Sequence, residues 1–188
     1  GLGAVQLLDG PVSEGVLLLE RLHPDVSVRS LPEAMALLEA VGTLRRLWVE
    51  PPGGQVFETV GQRTGRQAEV MRTGAVGEVT GLVDAALTAR AELLAAPPEE
   101  RLLHGTFRQN KVLAGERVPW LAVGPDPVVG ECAFDLARLV RDRVEDLIAS
   151  PSGAATTRRR IKRLAESLDV DQERLRGWTL FRAVESGM

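Results

Sequence analysis

Tyrosine is missing from the 188 residues, and aromatic side chains make up only 4% of them. Any core must therefore be largely aliphatic; a hydrophobic content of 44% is enough for one well-buried domain at this length. Cysteine is almost absent too. The single thiol, Cys132, excludes an internal disulfide framework and fits a reducing, cytoplasmic setting. With only two histidines in the chain to activate it, that thiol reads as a small apolar residue rather than a nucleophile. Neither sign of charge dominates: 23 basic against 26 acidic residues give a net charge of −3. That leaves no global field to draw in nucleic acid or an anionic membrane. No apolar run approaches the roughly 20 residues that a membrane span needs. The opening GLGAVQLLDG lacks the basic region of a signal peptide. Repeats and low-complexity segments are also lacking.

What is present reads as a mostly helical α+β domain. Ala4–Asp9 and Gly15–Leu22 are short apolar segments separated by Gly10-Pro11, the pattern of a hairpin. Two strands alone are marginal, so this ribbon must pack on something or belong to a larger sheet. Ser30 and Glu33 have capping-box spacing, with Pro32 in the first turn of the helix they open. That helix carries Met35, Leu38, Val41, Leu44 and Trp48 on one face and stops at Pro51-Pro52-Gly53-Gly54. Glu58–Arg72 is a weakly specified helix, since Gly61 and Gly65 each cost about 1 kcal/mol relative to alanine. Val79–Ala96 is a helix with Leu82, Ala85, Ala86, Ala89, Leu93 and Leu94 inward, closed by Pro97-Pro98. A further helix is expected over Ala133–Ala149, with Leu136, Leu139, Val140, Val144 and Leu147 inward. A loop over Pro151–Thr157 and helices over Arg158–Ser167 and Gln172–Ser186 follow.

The most informative stretch is Leu102–Asp135, LLHGTFRQNKVLAGERVPWLAVGPDPVVGECAFD. A polar loop follows a short apolar entry. A hairpin then joins Lys111–Leu113 to Trp120–Val123 through Ala114–Arg117, and a second loop leads into a helix. Such a layout sets two loops side by side at one end of a small sheet, where phosphate and metal sites are often built.

HGTFRQNKVL (His104–Leu113) and WLAVGPDPVVGECAFDLA (Trp120–Ala137) resemble the HGDLHPGNVL and WLAIDPKPVVGDPAYDLA motifs of antibiotic kinases. The group in question is the streptomycin 6-kinases and hydroxyurea-resistance kinases, within the aminoglycoside phosphotransferase family. GVLLLERL (Gly15–Leu22) is similar to the last strand and hinge of that family's amino-terminal lobe, and QERLRGWTLFRAV (Gln172–Val184) to its closing helix. The resemblance implies the carboxy-terminal lobe of a protein-kinase-like fold over residues 23–188, with residues 1–22 as a two-stranded hairpin and hinge remnant of the amino-terminal lobe. It also implies ATP and magnesium as the family's cofactors, with adenine held by main-chain groups at Glu20, Arg21 and Leu22. His104 and Asp135 would support the catalytic loop.

The chemistry of that family needs an Asp base, and an Asn and a second Asp on the metal. Those positions fall here on Thr106, Lys111 and Gly124. A threonine hydroxyl is no base near neutral pH, and a positioned base contributes roughly a hundred- to ten-thousand-fold in rate. A lysine about 4 Å from a divalent ion costs on the order of 8 kcal/mol at an effective dielectric of ~20. No metal ligand and no cofactor are expected in this form, unless Asn110 and Asp126 serve from neighbouring positions. Arg108 and Lys111 would favour an anion. The chain therefore reads as a catalytically inactive lobe that binds a small polar ligand, an anion or a protein partner, with self-association at the face an upper lobe would cover as a further option. The rival reading is an active phosphotransferase on an aminoglycoside hydroxyl, completed by a lobe supplied elsewhere. The basic run Arg158–Arg163 and the helix-turn-helix-like Leu164–Trp178 read as solvated helices, because Asp169, Asp171 and Glu173 would face phosphates badly.

Overall fold

The computed structural model describes residues 3–9 and 15–188, so the turn expected at Gly10-Pro11 lies outside the described residues. The flanking segments do pair: β1 (Leu7–Asp9) runs antiparallel to β2 (Leu18–Leu19), with Leu7 opposite Leu19. A strand not read from the sequence follows, β3 (Leu22–Ser27). Its LHPDVS text hides it, since Pro24 cannot donate to a ladder. The strand tolerates this by lying at the sheet edge with an irregular register between His23 and Ser27. Its partner is β5 (Val112–Gly115), which also pairs with β6 (Trp120–Ala122) in the expected central hairpin, Leu113 opposite Leu121. A separate ribbon joins β4 (Arg101–Leu103) to β7 (Val128–Gly130).

The first helix, α1 (Glu33–Leu47), departs from expectation in two ways. Its capping box does not form. Ser30 Oγ instead donates to the Ser27 carbonyl (2.7 Å) in a short 3-10 turn, Pro32 takes the N-cap position, and Glu33 pairs with Arg160 (2.7 Å). The buried face is also rotated. Ala36, Ala40, Val41, Thr43 and Leu44 point inward, while Met35 and Leu38 are 50% and 64% exposed. Small side chains let this helix approach its neighbours closely, so the largest apolar residues do not mark its inner face.

The weakly specified segment forms a regular helix, α2 (Val60–Gly74), opened by a reciprocal capping box. Thr59 Oγ1 accepts from Gln62 N (3.1 Å) and Gln62 Oε1 accepts from Thr59 N (2.9 Å). These two bonds offset the glycine cost at Gly61 and Gly65. Replacing Thr59 by alanine is expected to remove about 1 kcal/mol of stability, read as a lower urea midpoint with unchanged slope. α3 (Thr80–Ala95) has the expected extent, and Ala86 and Leu93 are buried as expected; Val83 is buried too, while Leu82 and Ala85 are exposed.

The long helix expected to reach Ala149 breaks. α4 (Cys132–Val140) and α5 (Val144–Ala149) are separated by a turn in which Arg143 is left-handed (φ 57°). Side chains hold this break. Arg143 Nη2 donates to the carbonyls of Arg29 and Leu31 (both 2.8 Å), and Arg160 Nη1 donates to those of Val140 and Asp142 (3.2 and 2.6 Å). α6 (Gly153–Leu168) starts inside the expected loop, where a Cβ at Gly153 would sit 1.8 Å from the Leu147 carbonyl oxygen. Arg160 is thus buried structure inside a run read as solvated. α7 (Gln172–Gly187) is capped by Asp171 and supplies Trp178 and Phe181, which with Phe134 form an edge-to-face aromatic centre. Three of the seven aromatic residues thus meet where α4 and α7 pack. Among the described residues, no helix is long and apolar enough to cross a membrane.

Candidate functional site

Two loops, residues 104–111 and 123–127, lie against each other beside the central hairpin. Their backbones are stitched by Asp126 N to the His104 carbonyl and Val123 N to the Lys111 carbonyl, both 2.9 Å. Gly105 sits at φ +79°, and a Cβ there would lie 1.9 Å from the Asp126 carbonyl oxygen, so no other residue fits between the loops.

Asp135 anchors the first loop from the first turn of α4. Its buried carboxylate accepts from His104 N (2.9 Å), Gly105 N (2.8 Å) and Trp48 Nε1 (3.2 Å). His104 is buried beside it, edge-on to Phe107. Its Nε2 faces the Val123 carbonyl (3.1 Å) and so carries the proton, leaving Nδ1 bare toward Thr106 N (3.4 Å). Burial pulls the imidazole below its ordinary pKa, against the opposing pull of Asp135, so the ring is neutral near neutral pH. It positions the loop.

Thr106, Lys111 and Gly124 meet and close on one another. Lys111 Nζ donates to Thr106 Oγ1 (2.7 Å) and to the Gly124 carbonyl (2.9 Å), while Thr106 Oγ1 donates to that same carbonyl (3.1 Å). Burial, then repulsion from Arg108 and Arg138, lowers the Lys111 pKa. Gly124 is itself left-handed, at φ +60°. Neither alternative acid or amide joins this group. Asn110 is exposed, and Asp126 is held by Arg63, whose Nη2 and Nη1 reach its carboxylate and carbonyl, each at 3.1 Å. Arg63 in turn pairs with Glu58 (2.9 Å). This clamp comes from α2, and reading the sequence missed it; the Thr59–Gln62 capping spacing was the available signal.

Magnesium requires nearly octahedral oxygen donors, usually including carboxylates. The atoms assembled here are one hydroxyl, one carbonyl and one ammonium, and the only carboxylate of the two loops is already paired. Among the described residues, no group of three or more His, Cys, Asp or Glu could hold a metal. The donor set does not fit magnesium.

The remaining candidates lie elsewhere. Arg108 is exposed and makes no bond to Lys111's partners; it lines a separate small cavity beside Arg138. At the expected hinge, the Glu20 carboxylate is held by Arg117 (2.6 Å) and Gln6 N (2.7 Å), and Glu20 N is engaged by the Gln6 carbonyl. Arg21 is exposed, and Leu22 begins β3. Burial pushes the Cys132 thiol up to about 12, so it is no thiolate at neutral pH.

Residues 1–188 match the family described as aminoglycoside/hydroxyurea antibiotic resistance kinase. The chain is 32% identical over 193 residues to the streptomycin 6-kinase of Streptomyces glaucescens, and 36% identical over 196 to that of Streptomyces griseus. These alignments take in 100% and 99% of this chain but 62% of each relative. The aminoglycoside phosphotransferase APH(3'')-Id of Streptomyces rimosus, solved with ADP and streptomycin, superposes with a TM-score of 0.62 at 15% identity. That superposition covers 97% of this chain and 76% of the other. The fold is kinase-like and α+β, and the chain belongs to the aminoglycoside/hydroxyurea antibiotic resistance kinase family.

Proposed function

We propose that this lobe binds a small polar or anionic ligand without metal-dependent phosphoryl transfer, its family's metal position being filled by the Lys111 ammonium. One observation carries the reading: Lys111 Nζ bridges Thr106 Oγ1 and the Gly124 carbonyl at 2.7 and 2.9 Å. The three positions where the family places base and metal ligands satisfy one another. Thr106 cannot receive a substrate proton, because its oxygen accepts from an ammonium and its proton points to a carbonyl.

The supporting scaffold is intact, which favours ligand binding over a purely structural role. Asp135 still fixes the backbone of His104 and Gly105. The streptomycin of the two related 6-kinases, and the ADP and streptomycin bound by APH(3'')-Id, set the ligand classes to test. An active phosphotransferase completed by another lobe draws on the same scaffold. A protein partner, or a second copy, has its own support: Leu7, Leu8, Leu17 and Leu18 on and before the β1–β2 ribbon are each more than half exposed.

Calorimetric titration of the 188-residue chain with ATP, with and without magnesium, separates these readings. We expect nucleotide heats that do not depend on magnesium. A nucleotide affinity that rises at least about tenfold when magnesium is added, a difference of ~1.4 kcal/mol, would overturn the reading.

A further inference from the structure

A cavity of about 190 Å³ opens where the end of α4, the turn after it, the segment before α1 and the Gln109–Lys111 turn converge. Five guanidiniums line it, from Arg29, Arg108, Arg138, Arg141 and Arg143. Two carboxylates, Asp142 and Glu145, face them. This is an unusual concentration of positive charge in a chain whose net charge is −3.

Five guanidiniums against two carboxylates leave the lining with an excess of three positive charges. Asp142 accepts from Gln109 N (2.7 Å), and Glu145 pairs with Arg29. Arg143 uses its donors on Gln109 Oε1 (3.0 Å) and on two carbonyls. Arg141 gives one nitrogen to the Arg182 carbonyl (2.8 Å) and Ser186 Oγ (3.0 Å). Arg108 and Arg138 are in no ion pair among the described residues, and Arg138 Nε is buried with no hydrogen-bond partner. Arg182, outside the cavity lining, is 4% exposed; its Nη2 donates to the Gly105 carbonyl (3.2 Å) and its guanidinium lies 4.2 Å from the centre of the Phe134 ring. Buried donors without acceptors cost ~1–3 kcal/mol each, more when charged. A cavity lined by five guanidiniums and two carboxylates, with Arg138 Nε left unpartnered among them, is short of an acceptor.

Helix polarity is the plainest alternative. Cations near a helix C-terminus are favoured by roughly 0.3–1 kcal/mol, which accounts for Arg138 and Arg141 on α4. It does not account for Arg29 and Arg108, which come from other parts of the chain, nor for the unpartnered Arg138 Nε.

We propose that this cavity is a phosphoryl-anion site, taking the tetrahedral dianion of inorganic phosphate or the terminal group of a phosphate monoester. Guanidinium forks approaching from several elements suit a tetrahedral dianion better than a flat, singly charged carboxylate. The volume is well below the ~300–1,000 Å³ of ordinary small-molecule pockets, so it admits one such group rather than a sugar or nucleotide. Lys111 does not line it, so the assignment stands independently of the function proposed above.

Titrations with inorganic phosphate, methyl phosphate and acetate at constant ionic strength, in chloride, test the site. Phosphate is expected to bind and to raise the melting temperature where acetate and chloride do not. R108Q, at an exposed position that leaves the core alone, and R138Q should each weaken phosphate at least about tenfold. R176Q, which removes one exposed cation from α7, should leave the affinity unchanged. Equal binding of methyl phosphate marks the ligand as an ester, and its exclusion marks free phosphate; both uphold the site. Acetate matching phosphate, or R108Q and R138Q losing no more than R176Q, would overturn it.

Discussion

Asp135→Ala is expected to lose about 3–5 kcal/mol of folding stability. The carboxylate is 1% exposed and satisfies three donors from three places: His104 N, Gly105 N and Trp48 Nε1. Bonds to an ionised acceptor contribute ~1.5–3 kcal/mol each, and orphaning a buried donor costs ~1–3. The effects overlap, because the three donors share one group, so a simple sum overshoots. Arg182 adds to the loss. Burial and Arg138 already push that guanidinium down to about 9, and Asp135 is the first of the charges that oppose them. Domains of this size have only 5–15 kcal/mol in hand, so the variant should be close to unfolding at 37 °C. Asp135→Asn keeps one accepting oxygen and should retain a part of the loss-free state, falling between wild type and alanine. Urea denaturation measures both. A loss under about 1 kcal/mol for the alanine variant, within the range of ordinary surface changes, would show that the loop does not depend on this carboxylate.

How much of this was legible beforehand differs between the scaffold and the site. The central hairpin follows from a short motif whose strands are near in sequence, and the support of the loop by His104 and Asp135 is what the family resemblance implies. The inner faces of α1 and α3 are only partly legible: Val41, Leu44, Ala86 and Leu93 are buried as their spacing predicts, whereas Ala36, Ala40 and Val83 are buried without being expected and Met35, Leu38 and Leu82 lie in solvent. The break after α4 could not be read, because what holds it is distant: Arg160 on α6 and the carbonyls of Arg29 and Leu31. The resemblance to the family's motifs implies Thr106, Lys111 and Gly124 as the site positions, but not their closure on one another, which depends on a lysine side chain folding back across the gap between two loops. The clamp of Asp126 by Arg63 was invisible for a similar reason, as it joins residues 63 apart.

Restoring the family's residues at all three positions should restore a metal site, and the order in which they are restored should matter. The triple variant T106D/K111N/G124D changes the local formal charge from positive to doubly negative and removes the ammonium that fills the gap. Each unit of charge within about 4 Å of a divalent ion is worth on the order of 8 kcal/mol at an effective dielectric of ~20. Desolvation of the new carboxylates takes back most of that. A net gain of about 3 kcal/mol, or roughly a hundredfold in affinity, is the expectation. Mn²⁺ titration followed by water-proton relaxation reads it directly. Aspartate is among the few residues that tolerate a left-handed backbone, so the φ of +60° at Gly124 is a modest obstacle. G124D alone should fail. Its Cβ would sit 3.6 Å from Lys111 Nζ, close enough for the new carboxylate to pair with the ammonium instead of an added ion. K111N alone should fail as well, since it clears the gap but supplies no carboxylate. Only the combination removes the resident cation and provides anionic ligands, so the effects should be strongly non-additive. If G124D by itself bound Mn²⁺ as tightly as the triple variant, Lys111 would not be what keeps the ion out. If the unaltered chain did so, the site would have been a metal site throughout.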